Sequence, residues 1–324
     1  MKEITYREAI REALAEEMRR DEKVFLLGED IANYGGSFKV TLGLVEEFGT
    51  NRVKDTPLAE SVIVGAAVGA AMIGMRPVPE IMFADFMVLV MDHIVNNAAK
   101  MTYMSDGEVS VPMVLRAAQG AGSGSGAHHC QSVEGWLMNI PGIKIVLPST
   151  PYDAKGLMKA AIRDNNPVVF LEHKMLYATK GMIPEEEYVI ELGKADVKRE
   201  GSDVTVIAIS AMAPKALKVA EVLAKEGISV EVIDPRTLKP LDTETLVKSV
   251  AKTKRALIVH EACLTGGPGA EIAAILAKEA FDYLDAPITR IGAPDTPVPF
   301  SPPMEKFFIP SEQRIMQGIK DLLG

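Results

Sequence analysis

Short segments that are apolar at successive positions alternate with helical patterns along almost the whole chain, and this alternation restricts the fold more than any other feature. Val24–Gly28 and Val204–Ile209 show it clearly, because neither follows the every-second-residue spacing of a half-exposed strand. A strand that is apolar on both sides is buried on both faces, as in a parallel sheet covered by helices. The sequence therefore predicts an α/β fold with mostly parallel sheets and helices on both faces.

The predicted strands and helices fall into two groups. The strands are Val24–Gly28, Val78–Met82, Met113–Arg116, Ile143–Leu147, Val168–Glu172, Val204–Ile209, Ser229–Ile233, Ala256–Val259 and Ile288–Ile291. The helices include Tyr152–Arg163, Pro214–Glu226, Thr243–Ala251 and Gly269–Phe281. Between the groups, Lys180–Glu200 is charged, contains glycine and proline, and lacks helical periodicity. We therefore predict a domain over residues 1–180, a linker over 181–200 and a second domain over 201–324.

Composition excludes several classes of function. The net charge of −9 argues against a protein that binds the phosphate backbone of nucleic acids. The two cysteines, Cys130 and Cys263, are too few for a disulfide framework and favour a reducing compartment. The charged N-terminus has neither the apolar core of a signal peptide nor the composition of a transit peptide. Val62–Met75 is shorter than the roughly 20 residues of a membrane span. We expect a cytoplasmic protein with no nucleic-acid or membrane partner.

One predicted helix begins with an acid and continues with almost nothing but small apolar residues. In DTPLAESVIVGAAVGAAMIGMRP, Thr56 is the expected N-cap, Pro57 the first helical residue and Glu60 a member of the first turn. The apolar remainder contains Gly65 and Gly69 and predicts a helix buried on all sides, with close backbone packing. Two interpretations of Glu60 stay open. It either complements the helix dipole at a partly wetted end, or is a buried acid of raised pKa that bonds a ring nitrogen of a heteroaromatic cofactor.

Aromatic residues follow the next predicted strand. PEIMFADF leads into Phe83 and Phe86, which places them at the carboxyl end of a strand, where open α/β sheets bind ligands. Ordinary core aromatics would give the same pattern.

A glycine-rich segment, AAQGAGSGSGAHHCQSVEGW, ends in a histidine pair. Gly122, Gly124 and Ala127 satisfy the dinucleotide pattern GxGxxG/A, but outside an N-terminal βαβ unit and without the acidic residue that should follow. Zinc is disfavoured, because the side chains of His128 and His129 diverge and no second ligand cluster lies at a typical spacing. The pair is either structural or provides a histidine that moves a proton beside a cofactor.

Several of these motifs, in this order, resemble the β subunit of the E1 component of 2-oxo acid dehydrogenase complexes, a group that includes the pyruvate, branched-chain and acetoin enzymes. The matching segments are DTPLAES, PEIMFADF, GAHHCQS, PSTPYDAKGLMKAAIRDNNPVVFLEHKMLY, EVIDPRTLKPLD, TGGPGAE and APDTPVPFSPPMEKFFIP. The resemblance implies a thiamine diphosphate-binding fold, with a pyrimidine-type domain followed by a transketolase C-terminal-type α/β domain.

The resemblance also implies roles for individual residues. Glu60 matches the glutamate that bonds N1′ of the aminopyrimidine and activates the cofactor, and Phe86 matches an aromatic residue that contacts this ring. His129 matches the active-site histidine, and His128 is a secondary cofactor-binding candidate. Cys130 departs from the usual serine, which leaves the local hydrogen bonding open.

A potassium site is a further implication of the resemblance. Its ligands would be mainly main-chain carbonyls, which suit a hard cation. The matching residues are Met113, Ala161, Ile162, Asp164 and Asn166. A plain helix C-terminal turn, RDNNP, explains the same residues equally well.

The sequence has no GDG…N motif for holding a diphosphate through Mg²⁺, and Asp106–Gly107 is its nearest approach. We therefore expect an E1 α subunit to supply the Mg²⁺ ligands in an α2β2 assembly. The expected activity is decarboxylation of a 2-oxo acid, with pyruvate favoured over acetoin-type and branched-chain substrates, and acyl transfer to a lipoyl group on E2. A non-catalytic scaffold subunit is the alternative of another class, and a self-sufficient thiamine enzyme is disfavoured.

Overall fold

The structure, a computed structural model, describes residues 1–324 and divides into two compact units. The first comprises Met1–Gln119 and Trp136–Leu192, and the second comprises Gly120–Gly135 and Gly193–Gly324. The glycine-rich segment thus belongs to the second unit, although it lies inside the predicted first domain. The later change of unit, at residues 192 and 193, falls within the predicted linker.

The first unit contains most of its residues in short strands and helices. Its strands are β1 (Lys2–Thr5), β2 (Val24–Gly28), β3 (Val53–Asp55), β4 (Arg76–Ile81), β5 (Val114–Gln119), β6 (Lys144–Val146), β7 (Val168–His173) and β8 (Lys180–Ile183). Its α-helices are α1 (Tyr6–Arg20), α2 (Leu44–Phe48), α3 (Glu60–Met72), α4 (Ala99–Met104), α5 (Glu134–Met138, which begins in the second unit) and α6 (Pro151–Arg163). It also has 3-10 helices at Ala84–Leu89 and Lys174–Leu176 and a π-helix at His93–Ala98.

A parallel sheet in the order β6-β7-β5-β4-β2-β3 forms the centre of the first unit. Every residue of β5 and β7 is buried, including the charged Arg116 and Glu172, as expected for strands covered on both faces. The antiparallel pair β1 and β8 lies apart from this sheet. The predicted α/β fold with parallel strands is confirmed in this unit.

Helix α1 is fixed by its first turn and by charges along one side. Thr5 caps it with a capping box, in which the Thr5 hydroxyl accepts from the Glu8 amide and the Glu8 carboxylate accepts from the Thr5 amide at 2.7 Å. Lys155 of α6 is 2% exposed and lies 2.7 Å from Glu16 and 3.0 Å from Glu12 of α1. A buried lysine without a partner would be unfavourable, so these ion pairs both compensate the burial of Lys155 and join the two helices.

The second unit is a separate α/β structure. Its strands are β9 (Asp196–Arg199), β10 (Val204–Ala208), β11 (Val230–Asp234), β12 (Thr237–Lys239), β13 (Ala256–Cys263) and β14 (Thr289–Ala293), and its helices are α7 (Met212–Ala224), α8 (Thr243–Thr253), α9 (Pro268–Glu279), α10 (Pro302–Phe308) and α11 (Glu312–Leu323), with a 3-10 turn at Phe281–Tyr283. The sheet order is β14-β13-β10-β11-β9, with β9 antiparallel and the others parallel.

The segment 181–200, predicted as a linker, contains regular structure at both ends. Strand β8 includes residues up to Ile183 and pairs with β1, while β9 pairs with β11 of the second unit. Charged residues obscure both strands because each lies at a sheet edge, where one side faces water.

The helix that carries Glu60 begins later than the sequence predicts. Its N-cap is Ala59, not Thr56, and Glu60 is its first residue. The Thr56 amide instead donates to Gly28 O at 3.0 Å, which keeps this stretch extended alongside β2. The expected N-cap at Thr56 and helical start at Pro57 are therefore wrong.

Helix α3 is also not buried on all sides within this chain. One side packs into the unit through Ile63, Val64, Ala67, Val68 and Ala71. The opposite side exposes Val62 (67%) and Ile73 (84%), because no element of the chain covers it. A uniformly apolar sequence could not show which side the chain itself would cover.

The two glycines of α3 have different surroundings. A Cβ on Gly65 would lie 3.0 Å from Cε1 of His93, whose Nε2 is 2.9 Å from the Ser61 hydroxyl, so this glycine makes room for a ring of the same unit. A Cβ on Gly69 would have no atom within 4 Å. The close packing expected at both glycines is therefore found only at Gly65.

Candidate functional site

Two acidic residues meet at one edge of the first unit. Glu29 directly follows β2, and Glu60 starts α3, so a strand's carboxyl end and a helix N-terminus are neighbours here. Glu60 is half-buried, whereas Glu29 is 5% exposed and its Oε1 is buried without a hydrogen-bond partner. Burial raises the pKa of Glu29, the negative charge of Glu60 raises it further, and a hydrogen bond with the Ala59 backbone lowers it in part. The sequence interpretation missed Glu29.

A sequence signal for Glu29 did exist. The segment VFLLGED places an acid directly after a strand that is apolar at successive positions. The carboxyl ends of such strands are the ligand-binding edge of an open α/β sheet. The pattern at Glu60 is more conspicuous because a long apolar helix follows it, whereas Glu29 is followed by no such segment.

Phe86 lies in the 3-10 helix Ala84–Leu89, which packs against α3. It is half-buried, and its ring is 6.0 Å from that of Phe83 in an edge-to-face arrangement. Phe83 contacts Phe38 in the same way at 5.8 Å. This edge of the unit therefore offers aromatic surface close to the helix that carries Glu60, as the sequence predicts for Phe86.

A buried ion pair supports the sheet beneath this edge. Arg116 of β5 binds Glu172 of β7 through two hydrogen bonds, at 2.7 and 2.8 Å, and also binds Glu80 of β4. Tyr177 donates to Glu172 at 2.8 Å. Burial raises the pKa of Glu172 although the guanidinium opposes this, and burial also raises the pKa of Tyr177. The arrangement fixes the strand ends relative to one another.

The histidine pair lies in the second unit, on the glycine-rich segment. His128 is exposed and His129 is half-buried, and the His129 amide donates to Gly126 O at 3.3 Å. Cys130, at the position where serine is usual, is 1% exposed and lies 3.4 Å from the Ser123 hydroxyl. No group of three or more His, Cys, Asp and Glu side chains is placed to hold a metal ion.

Four of the five residues of the expected potassium site have carbonyls that already accept hydrogen bonds. Arg76 Nη1 donates to Ile162 O and to Asp164 O, each at 2.9 Å. Met113 O accepts from the Val168 amide at 2.9 Å, and Ala161 O accepts from the Asp164 amide at 3.3 Å. A guanidinium thus supplies positive charge where a cation was expected. The fit for K⁺ is poor with Arg76 in this position.

The chain matches two family models: "Transketolase, pyrimidine binding domain" over residues 2–180 and "Transketolase, C-terminal domain" over residues 193–315. These matches, with the two α/β units, define a transketolase-type protein. Relatives of nearly full length then identify the branch. The chain belongs to the β subunits of the E1 component of 2-oxo acid dehydrogenase complexes.

Three relatives illustrate the branch. The 2-oxoisovalerate dehydrogenase subunit beta of Bacillus subtilis is 48% identical and aligns over 99% of both chains. The pyruvate dehydrogenase E1 component subunit beta of Rickettsia felis is 48% identical, over 98% of both chains. The acetoin:2,6-dichlorophenolindophenol oxidoreductase subunit beta of Bacillus subtilis is 47% identical, over 99% of this chain and 97% of the relative.

A solved structure shows the same fold. It is a split-gene transketolase described as an inactive beta4 tetramer, and it superposes with a TM-score of 0.82 over 99% of this chain and 98% of that one, at 23% identity.

No helix of the present chain has the length and apolar character needed to cross a membrane.

The family implies thiamine diphosphate as the coenzyme. The first unit fits the pyrimidine part of this molecule in two ways. Glu29 Oε1 is a buried acceptor that still lacks a donor, and the half-buried Glu60 and Phe86 offer a carboxyl group and an aromatic face.

Proposed function

We propose that this chain is the β subunit of a thiamine diphosphate-dependent 2-oxo acid dehydrogenase E1, which works with an α subunit on pyruvate and passes the acyl group to a lipoyl group on E2. The observation that carries the proposal is the pair of carboxyl groups, Glu29 and Glu60, at the ligand-binding edge of a pyrimidine-type domain. Near-full-length relatives named as β subunits of such enzymes support it.

When bound, thiamine diphosphate supplies the carbon nucleophile and the electron sink for decarboxylation. Glu60 would hold N1′ of the aminopyrimidine. Burial and the negative charge of Glu60 raise the pKa of Glu29, which favours a proton on Glu29 beside this hydrogen bond. Phe86 would contact the ring, with His128 as a secondary contact, and His129 would hold or move a proton at the substrate oxygen.

The α subunit would supply the diphosphate and Mg²⁺ ligands, in an α2β2 assembly. The uncovered side of α3 supports a partner chain, because Val62 and Ala66 within the helix and Ile73 at its C-cap are exposed apolar residues. The names of the relatives, each a "subunit beta", also support a multi-subunit enzyme.

Pyruvate is the proposed substrate because TGGPGAE and the unbroken PYDAKG segment resemble pyruvate-type relatives. Relatives named for 2-oxoisovalerate and acetoin are about equally similar, so they define the competing substrates. Steady-state assays of the reconstituted enzyme with pyruvate, 2-oxoisovalerate and acetoin decide among them. A higher kcat/KM for either competitor contradicts the choice of pyruvate.

Two minor proposals accompany the main one. We place the protein in the cytoplasm, and fractionation of the native cells tests this. A potassium ion bound by the carbonyls of the five residues named above stays a prediction, and the hydrogen bonds from Arg76 to two of those carbonyls count against it. Thermal unfolding in KCl and in NaCl of equal ionic strength tests it, since a bound K⁺ would raise the Tm only in KCl.

Glu60→Gln tests the catalytic role. In the complex reconstituted with the α chain, we expect kcat to fall by about 100-fold or more, because a group that handles a proton in the rate-limiting step contributes about that much. Glu312→Gln is the matched control, since Glu312 is also an acid in the first turn of a helix but is exposed. Near-normal turnover of Glu60→Gln refutes the assignment.

Calorimetry of the same complex separates the enzyme from a non-catalytic scaffold. An E1 enzyme binds thiamine diphosphate with Mg²⁺ present. A complex that folds and assembles but gives no binding heat and no protection from thermal unfolding is a scaffold.

A further inference from the structure

The glycine-rich segment of the second unit is held by two buried glutamates that follow it far along the chain. Glu305 accepts from the Gly122 amide at 2.7 Å and from the Gly124 amide at 3.1 and 3.2 Å. Glu261 accepts from the Ala121 amide at 2.6 Å. We infer that Glu305 and Glu261 are positioning residues that fix this segment and thereby set the place of His129. The inference rests on the proposed function, because His129 has a catalytic role only there.

Backbone conformation explains why the segment needs its glycines. Gly120, Gly122, Gly124 and Gly126 all have φ between +68° and +108°, a region that other residues adopt only with strain. Left-handed residues at alternate positions curl the chain so that successive amides point to one side and form an anion-binding concavity. Here the anion is a carboxylate of the same unit. The pattern that mimics a dinucleotide fingerprint therefore builds an internal anchor.

Both glutamates are almost fully buried, at 4% exposed for Glu305 and 6% for Glu261. A buried carboxylate is unfavourable unless it is hydrogen-bonded, and amides of the glycine-rich segment supply bonds to both. Glu261 belongs to β13 and Glu305 to α10, so the segment is tied to two different elements.

An apolar contact completes the attachment. Ala121 and Cys130, on either side of the glycines, pack with Val298 and Phe308 in one buried cluster. The two ends of the loop are therefore fixed in the core, while the carboxylates fix the backbone between them. His129 precedes Cys130 and donates its amide to Gly126, so its position follows from that fixed backbone.

A small displacement of His129 would be enough to lose activity. Misplacement of a catalytic group by about 1 Å can lower turnover about 100-fold. Glu305 has contacts with two of the amides, so its removal frees the middle of the segment. We therefore expect turnover to depend on Glu305 although it has no contact with a reacting atom.

Three variants of the chain, reconstituted with the α subunit, test the inference. Glu305→Leu removes every acceptor, and Glu305→Gln keeps one oxygen that can bond the same amides. Glu271→Gln is the matched control, because Glu271 is also an acid in the first turn of a helix but is exposed. Each variant is measured for kcat, for KM with pyruvate, for the Kd of thiamine diphosphate, and for amide hydrogen exchange in peptides from residues 120–135.

We expect Glu305→Leu to lower kcat by about 10- to 100-fold, with KM and the coenzyme Kd within about threefold of wild type. Loop exchange should accelerate by about tenfold or more, while peptides from β10 and β11 stay unchanged. Glu305→Gln should recover most of kcat and most of the protection, and Glu271→Gln should match wild type in every measurement. General destabilisation would instead raise exchange throughout the unit.

If amide exchange of residues 120–135 is unchanged in Glu305→Leu, Glu305 does not fix the segment. The same conclusion follows if Glu305→Gln loses as much kcat and as much protection as Glu305→Leu. If Glu305→Leu does not fold, Glu305→Gln is compared with Glu271→Gln: the amide has one acceptor oxygen where the carboxylate has two, so a modest rise in loop exchange supports the anchor, and exchange no faster than in Glu271→Gln overturns it. Failure of the proposed function looks different. A His129→Ala enzyme with normal turnover refutes the role of His129, whereas the exchange experiment needs no turnover.

Discussion

Protonation of one buried histidine is expected to limit the stability of the protein in acid. His260 of β13 is 0% exposed, and neither ring nitrogen has a hydrogen-bond partner within normal geometry. Gly267, Gly269 and Gly292 pack so tightly on the ring that a Cβ on any of them would lie within 3 Å of it. Burial lowers the pKa of His260 to about 4, the Arg290 charge adds to this, and the Ala262 backbone, which lies outside normal hydrogen-bond geometry, opposes it.

The sign and size of the effect follow from this pKa. The unfolded chain binds a proton on this histidine near pH 6.5, whereas the folded chain stays neutral until about pH 4. Between these values the unfolded state holds more protons, so the free energy of unfolding falls as the pH is lowered through this window. At 1.36 kcal/mol per pKa unit, the loss by pH 4 is about 3 kcal/mol. Above pH 6.5 the contribution is fully present.

Denaturant unfolding at pH 7.0 and at pH 4.5 measures this, at one fixed chain concentration because association shifts apparent stability. His260→Leu should reduce the pH-dependent loss by about 2–3 kcal/mol relative to wild type, whatever its stability at pH 7. Leu257→Val is the control, since it lowers stability by about 1 kcal/mol without removing a titrating group. Parallel pH dependence in wild type and His260→Leu refutes the reasoning.

Four further substitutions have definite expected results. Lys155→Met should lower the free energy of unfolding by only about 1 kcal/mol, because Glu12 and Glu16 are about one-third exposed and can hydrate again, and a loss above 4 kcal/mol in urea unfolding contradicts this. Gly69→Ala should stabilise the isolated chain by about 0.5–1 kcal/mol through helix propensity, yet weaken binding to the α subunit if the uncovered side of α3 is the interface. Gly65→Ala should instead destabilise the chain, because the added methyl group would collide with the His93 ring. Thermal unfolding measures the stability of both variants, and calorimetric titration measures their binding to the α subunit. Glu29→Gln should raise the Tm at pH 8 by about 2 °C while lowering kcat, since it removes a buried acid whose raised pKa makes its ionisation unfavourable, and a lowered Tm would count against this account of the pKa.

The buried strands could be predicted from the sequence because their apolar pattern has a single physical cause. β2 has the predicted bounds, Val24–Gly28, and β7 and β10 differ by one residue at one end. A strand that is covered on both faces needs apolar side chains at successive positions, and this pattern is visible in the sequence without knowledge of the neighbouring strands. The short edge strands, such as β1, β3 and β8, were missed because one side of each faces water and carries charge.

The site was predictable only where a local pattern marked it. Glu60 was visible because an acid before a long apolar helix is unusual, and the histidine pair because glycines surround it. The N-cap at Thr56 was wrong, since the pairing of Thr56 with Gly28 depends on a strand that lies far away in sequence. Glu305 and Glu261 could not be found, because their roles arise from contacts with amides more than 130 residues away.

The two pairs of glutamates differ in whether the chain itself satisfies their hydrogen bonds. The carboxylates of Glu305 and Glu261 bind backbone amides, so their burial is compensated inside the unit. Glu29 has one buried oxygen that no group of the chain serves, and such an orphan acceptor costs about 1–3 kcal/mol. Chains tolerate that cost where something outside them supplies the missing bond. We therefore propose that the coenzyme supplies the missing hydrogen bond beside Glu29 and Glu60, whereas Glu305 and Glu261 find their hydrogen bonds within the chain.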